Sequence, residues 1–396
     1  MSAPEVIHRG GGPAGVRLTA GWAHRCFGGH PWIYANEIAG VRGEPEAGAT
    51  VWVRDGRGGF VGSGLYNPES EIRIRLFSRE REVFEFGLIE RRLRRAAERR
   101  GGAGVCRLVW SEADGLPGFV VDRYDGVAVM QSMTAAGDAH FGEFLQAVQH
   151  VVRPTAIIER SDAPGRAHEK LAAKVGVAMG QYHGPSRHRV GDAVFELDLF
   201  GGQKTGAYLD QVANYRAVAA RAKGRHVLDC FSHTGGFAVH CALAGAASVE
   251  AVEANDAAVA CGRRNAELNG AAVRWHMQNA FDWLRLAERE RRKFGLVILD
   301  PPSFTRSRSR VEDALRGYRE IHVRAFGMVE PGGVLATFCC SHHVDAGMFE
   351  DVVRASAGDA GRSARLIERR GQGPDHPVLL TMPESEYLKG LIIEVD

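Results

Sequence analysis

Long apolar runs are missing from this chain of 396 residues. No segment approaches the roughly 18 to 20 apolar residues that a membrane-spanning helix requires. The opening MSAPEVIHRGGGPAG lacks the apolar stretch of a secretory signal. Both absences lead to the expectation of a cytoplasmic protein with no membrane partner. Paired cysteines are missing as well: the seven thiols stand at 26, 106, 230, 241, 261, 339 and 340 with no CxxC spacing. That excludes a disulfide framework and zinc-finger ligation, so the thiols are expected to be reduced and no metal is expected. Net charge is nearly absent, at +2, so the whole-chain field does not single out a polyanionic partner. Lysine is scarce, at six residues against 44 arginines. The guanidinium fork suits phosphate, but genome base composition produces the same bias.

What is present points to several domains. The length exceeds one ordinary domain, and 45% hydrophobic with 25% charged residues is ordinary for a globular protein. Residues 1–15 are Gly-rich, expected to be a flexible tail. Over 16–80, short β segments recur at 50–55, 58–66 and 71–77. The last alternates Ile72, Ile74 and Leu76 with Arg73 and Arg75, which sets an apolar face inward and an arginine face outward; a small β-barrel closes such a meander. Residues 81–200 begin with an Arg-rich helical stretch, FEFGLIERRLRRAAERRGG, and continue as a small α+β middle domain. Beyond Gly201, strands and helices alternate through 396, predicting an α/β fold with a doubly wound parallel sheet. Residues 375–382 and 386–395 are expected to close it as an antiparallel edge hairpin.

Three signatures fall in order within Val227–Ser341. HVLDCFSHTGGF ends a buried strand in an acid and a glycine turn, with Asp229, Phe231, Thr234, Gly235 and Gly236 as cofactor candidates. The turn departs from GxGxxG, which favours S-adenosylmethionine over a dinucleotide because there is no pyrophosphate to cradle. Glu253 closes the next strand, 24 residues after Asp229, near the spacing at which an acid reaches ribose hydroxyls. Asn279 and Ala280 follow a third strand where adenine would be contacted. LVILDPPSF then carries Asp300 to the carboxyl rim, where Pro301 and Pro302 stiffen the turn. In methyltransferases such a turn holds a flipped-out base. Enzymes that methylate amines often place an aromatic directly after the second proline; here Ser303 intervenes before Phe304. Arg306, Arg308 and Arg310 come next, placed to clamp phosphates flanking a base. Finally GGVLATFCCS ends in adjacent thiols. Strand alternation lets at most one of Cys339 and Cys340 face the cleft. A thiolate there could add to carbon 6 of cytosine and activate carbon 5 toward a methyl group.

These motifs, with GGHPWIYANEIAG, GLYNPESEIRIRLFS, GGQKTGAYLDQ, CCSHH and DHPVLLTMPESEYLKG, resemble the PUA-containing 23S ribosomal RNA cytosine-5 methyltransferases over about residues 16–396. The resemblance implies a Rossmann-like class I core over 201–396, behind an N-terminal RNA-binding PUA-type β-barrel and the middle domain. The implied partner is 23S RNA, free or in a pre-ribosomal particle, with a homodimer left open. It also implies that Cys340 is the nucleophile, although Cys339 replaces the family's small polar residue. Lys204, Thr205, Tyr208, Asp210 and Gln211 fall in a segment that closes over the cofactor in that family. No cysteine follows DPP, so a two-cysteine scheme is unavailable and the general base is unassigned. Two other readings stay open: a guanine-amine methyltransferase on the same scaffold, and an RNA-binding assembly factor without chemistry.

Overall fold

The computed structural model describes residues 13–21, 24–202, 204–305 and 307–396. Most of the N-terminal tail, and Arg306, lie outside the described residues. The chain divides into two compact units.

The first unit holds the chain through Ser186 with 198–207 and 375–385. Its N-terminal part is a six-stranded sheet. Alternation sends Val51, Val53, Ile74 and Leu76 into a core shared with Val16, Leu18 and Ile33. Arg75 lies on the outward face expected of it, but that face is not open to solvent. Its guanidinium lies 5.3 Å from the Trp32 ring and donates to Glu112 at 2.6 Å, with Glu169 at 3.5 Å. The outer face of that strand is therefore covered by acids from later in the chain. Trp32, Tyr34 and Arg75 line a cavity of about 860 Å³ together with Trp110, Glu112 and Met133.

Helix Phe86–Arg99 buries Leu88, Ile89, Leu93 and Ala96, the spacing of one helical face. It stops before Gly101 and Gly102, whose φ values of +57° and +75° suit glycine. Most of its arginines are occupied within the molecule: Arg91 and Arg92 face Glu82, Arg94 pairs with Glu90, and Arg99 shares Asp114 with Arg100 just beyond the helix. The most basic stretch of the sequence is thus largely neutralised by its own neighbours. Behind it lies a five-stranded sheet with the hairpin Phe119–Tyr124 and Val127–Ser132. One apolar cluster joins Leu65 and Phe77 to Leu88, Phe119 and Phe144, so this core runs continuously across residue 80.

The second unit is built on seven strands: β1 (His226–Cys230), β2 (Ser248–Glu253), β3 (Arg274–Met277), β4 (Phe294–Leu299), β5 (Val329–Cys339), β6 (Ala364–Arg370) and β7 (Lys389–Val395). Their order is β3-β2-β1-β4-β5-β7-β6. β1 to β5 are parallel; β7 runs antiparallel to both β5 and β6. Six helices accompany the sheet: α1 (Val212–Ala219), α2 (Gly236–Leu243), α3 (Asp256–Leu268), α4 (Ala280–Arg289), α5 (Val311–Met328) and α6 (Ala346–Asp359). β4 is buried at every residue, as a central parallel strand covered on both faces must be. Strand order reverses between β1 and β4, and the carboxyl ends there form the crevice where open α/β sheets bind ligands.

The edge hairpin differs from expectation in one strand. β7 lies where expected, but its partner is Ala364–Arg370, while 375–382 forms turns and belongs to the first unit. Pro377 has no N–H for a ladder, and Leu380 is 93% exposed.

Candidate active site

Parallel register places the ends of β1, β2, β4 and β5 at one rim, with Cys230 opposite both Val252 and Leu299, and Leu299 opposite Thr337. Every acid and thiol singled out in β1, β2, β4 and β5 therefore sits there for one geometric reason.

Asp229 is fully buried. Its Oδ2 accepts from Ser232 Oγ at 2.7 Å and Ala238 N at 3.0 Å, while Oδ1 is buried without a partner among the described residues. Burial pushes its pKa up to about 7 and the nearby Glu253 charge adds to this, against the two hydrogen bonds. The turn beyond is held by left-handed residues, Phe231 at φ +63°, His233 at +49° and Gly235 at +90°. The glycines answer to packing under the turn. A Cβ on Gly236 would come within 2.5 Å of the Tyr215 ring, and one on Gly235 within 3.2 Å of Trp275. Glu253 is partly exposed, with one oxygen on His233 N and the other on Asn255 N, both at 2.9 Å. Thr234 gives its carbonyl to Asn265 Nδ2 at 3.2 Å. Asn279 caps α4 by accepting from Phe281 N at 2.9 Å, with Ala280 buried behind it.

Of the segment around GQKTGAYLDQ, Lys204 and Thr205 fall in the first unit. Thr205 is fully buried there, donating to Asp122 and 3.3 Å from the Tyr124 hydroxyl. Tyr208, Asp210 and Gln211 belong to the second unit. Tyr208 packs edge-on to His233 at 5.2 Å. Burial pushes its phenol well above the usual range, as do the negative charges of Asp300, Asp210, Cys340 and Glu253. Asp210 accepts from the Tyr387 hydroxyl at 2.6 Å. Gln211 takes a hydrogen bond from Asn214 at 2.6 Å and donates to Asp300 Oδ2 at 3.0 Å. Asn214 thereby fixes the orientation in which Gln211 holds the carboxylate.

Around the DPP turn, Pro301 is buried and Pro302 exposed. Phe304 sits in an aromatic cluster, 4.6 Å from Tyr318, 5.8 Å from Phe281 and 6.5 Å from Phe231. Arg308 and Arg310 follow on an exposed single turn and form no ion pair among the described residues. At the end of β5 the two thiols separate. Cys339 is fully buried in the apolar core; Cys340 is partly exposed and its Sγ donates to the Pro301 carbonyl at 3.9 Å.

Two important residues were not picked out from the sequence. Ser341 is fully buried, and its Oγ joins Phe304 N at 3.2 Å, Ser303 Oγ at 3.2 Å and Tyr318 OH at 3.0 Å. It locks the thiol-bearing strand end to the DPP loop. Lys389 donates to the Ser341 carbonyl at 2.9 Å. Its sequence signals are its place in the DHPVLLTMPESEYLKG motif and its being an isolated lysine opening an apolar strand in a lysine-poor chain.

The rim defines a Rossmann-like methyltransferase core: an acid-ended first strand, a second acid on the neighbouring strand, and a DPP turn on the fourth. Residues 189–391 match the S-adenosylmethionine-dependent methyltransferase family and residues 16–79 match a PUA-like domain. The protein named ribosomal RNA large subunit methyltransferase I from Tolumonas auensis is 37% identical, covering 92% of this chain and 95% of its own. Its namesake from Shewanella denitrificans is also 37% identical, covering 96% and 99%. Among solved structures, a SAM-dependent methyltransferase from Streptococcus mutans superposes with a TM-score of 0.82 at 17% identity, covering 96% of this chain and 99% of that one. The chain belongs to the ribosomal RNA large subunit methyltransferase I family, within the S-adenosylmethionine-dependent methyltransferases.

The residues present fit the cofactor of that family. Oδ1 of Asp229, without a partner among the described residues, would accept from the amino group of S-adenosylmethionine, and Glu253 would accept from its ribose diol. When bound, the cofactor supplies an electrophilic methyl on its sulfonium.

Below about pH 7 Asp229 keeps its proton, so binding a cationic group there must displace it. Cofactor affinity should therefore rise with pH by up to about tenfold per unit and level off above that point. Calorimetric titration between pH 5.5 and 8 checks this. Asp229→Asn should weaken binding and flatten the profile, whereas a pH-independent wild-type affinity would rule the assignment out.

Proposed function

We propose that the enzyme methylates carbon 5 of a cytosine in 23S ribosomal RNA through a covalent adduct between Cys340 and carbon 6. One observation carries the reading. The partly exposed thiol of Cys340 lies against the Pro301 carbonyl of the DPP turn, so nucleophile and base-holding turn meet at one point. Carbon 5 of cytosine is a poor nucleophile until a thiolate adds to carbon 6. The ring electrons then move toward the polar edge, where Asp300 accepts from the exocyclic amine and shares the proton gained by ring nitrogen 3. The resulting enamine carbon takes the methyl. Loss of the carbon 5 proton to a solvent base, return of the nitrogen 3 proton through Asp300 and departure of the Cys340 thiolate restore the aromatic ring.

The RNA substrate is supported by the names of the relatives, by the PUA-like domain, and by exposed, unpaired Arg308 and Arg310 beside the turn. Among the described residues no helix is long and apolar enough to cross a membrane. Phe304 speaks against the guanine-amine reading, because its ring is committed to Tyr318, Phe281 and Phe231. Reaction with 23S RNA, offered free or in a pre-ribosomal particle, followed by nucleoside mass spectrometry should yield 5-methylcytidine. A methylguanosine product would overturn the proposal.

A further inference from the structure

We propose that Lys389 is a positioning residue for the nucleophile: its ammonium pins the Cys340–Ser341 turn and serves as the counter-charge of the Cys340 thiolate. The inference rests on Cys340 being the nucleophile and adds the group that keeps it ionised.

The geometry begins with register. Lys389 opens β7 directly opposite Cys339, the last residue of β5. Its Nζ donates to the Ser341 carbonyl at 2.9 Å and to the Tyr387 carbonyl at 3.0 Å. The peptide unit immediately after Cys340 is thus tied to the neighbouring strand. Tyr387 is itself anchored through its hydroxyl to Asp210 at 2.6 Å.

The second observation is a charge left over. Lys389 is partly buried, yet among the described residues it forms no ion pair; its hydrogen bonds go to two carbonyls. A half-buried ammonium without a carboxylate is unfavourable unless an anion forms nearby. Burial lowers its pKa, while negative charge on Cys339 and Cys340, and then on Asp345 and Glu386, would raise it. Asp345 is engaged in capping α6.

The groups facing Cys340 come from several elements. Asp300 and Pro301 follow β4, Tyr208 precedes α1, and Tyr318 lies on α5. Cys339, Ser341, His342 and His343 are its own neighbours, and Lys389 reaches across from β7. Asp300 disfavours a thiolate; a protonated lysine favours one. Cys339 makes poor use of the same charge, because it is sealed in the apolar core. Cys340 is the thiol that both reaches solvent and touches the DPP turn.

The test compares wild type with Lys389→Gln, which keeps a donor for the Ser341 carbonyl but loses the charge, and Lys389→Arg, which keeps the charge. Iodoacetamide alkylation of Cys340, followed across pH by peptide mass spectrometry, reads thiol ionisation without RNA. Thermal melts establish that each variant is folded. Lys389→Gln should move the alkylation midpoint upward by about one pH unit, roughly tenfold less thiolate at neutral pH. It should lower kcat near pH 7 by a similar factor with KM for the cofactor unchanged. Lys389→Arg should restore most of the midpoint. An unchanged midpoint in Lys389→Gln, or equal shifts in both variants, would overturn the proposal. Absence of a wild-type adduct at Cys340 on 5-fluorocytosine-substituted RNA would instead defeat the assignment of the nucleophile, leaving the alkylation result standing.

Discussion

Cys340→Ala should abolish methyl transfer, lowering kcat by about four orders of magnitude or more, and should form no adduct with 5-fluorocytosine-substituted RNA in the presence of cofactor. The expectation follows from the order of bond making. Without addition at carbon 6, carbon 5 never becomes an enamine carbon, and no positioning of the cofactor methyl compensates for that. Cofactor binding should be unaffected, because Asp229 and Glu253 lie on other strands. Cys339→Ala is the control. That thiol is fully buried among apolar side chains, so its loss should cost about 1–2 kcal/mol of stability with the adduct retained. An adduct formed undiminished by Cys340→Ala would exclude Cys340 as the nucleophile.

The contrast between the two thiols shows what strand periodicity alone can establish. Alternation requires neighbouring residues on a strand to face opposite sides, so one cysteine had to be buried; only the packing against α5 and α6 shows that it is Cys339. Asp229, Glu253 and Asp300 were legible for a related reason. Each ends an apolar strand, and parallel strands deliver their carboxyl ends to a single rim whatever the details of packing. Lys389 and Ser341 were not legible, because their roles arise from β7 lying beside β5, a non-local antiparallel pairing. That edge of the sheet is hidden in the sequence as well, because 375–382 reads as the partner of β7 whereas Ala364–Arg370 takes that place.

Charges were the least legible feature. The arginines of Phe86–Arg99 form a conspicuous run, but Glu82 and Asp114, brought in by the fold, and Glu90 on the same helix occupy most of them. Arg75 read as a solvent-facing residue until Glu112 and Glu169 covered it. Thr205, implied near the cofactor by family likeness, bonds to Asp122 and Tyr124 in the first unit. Which ion or hydroxyl finds which partner is decided by tertiary contacts, whereas periodicity reports only which face is apolar.

The second large effect is expected at Asp300. Asp300 sits past the end of β4, its backbone N–H donating to the Cys230 carbonyl at 3.4 Å and its carboxylate accepting from Gln211 at 3.0 Å. Asp300→Ala should lower kcat by about 10²–10³-fold, the scale of losing a positioned proton donor and acceptor at a site of developing charge. Asp300→Asn keeps the size and one acceptor but cannot share a proton with ring nitrogen 3, so it should recover little of that loss. Gln211→Ala should cost less, about tenfold, because it frees the carboxylate without removing it. Calorimetry separates this role from cofactor binding. A cofactor affinity within a few-fold of wild type, with adduct formation slowed in parallel with turnover, places Asp300 on the base. A large loss of cofactor affinity, with normal adduct formation once cofactor is saturating, would place it on the cofactor instead. The two outcomes differ because, at saturating cofactor, adduct formation reports activation of the ring, while the affinity reports the residues expected to hold the cofactor, Asp229 and Glu253 among them.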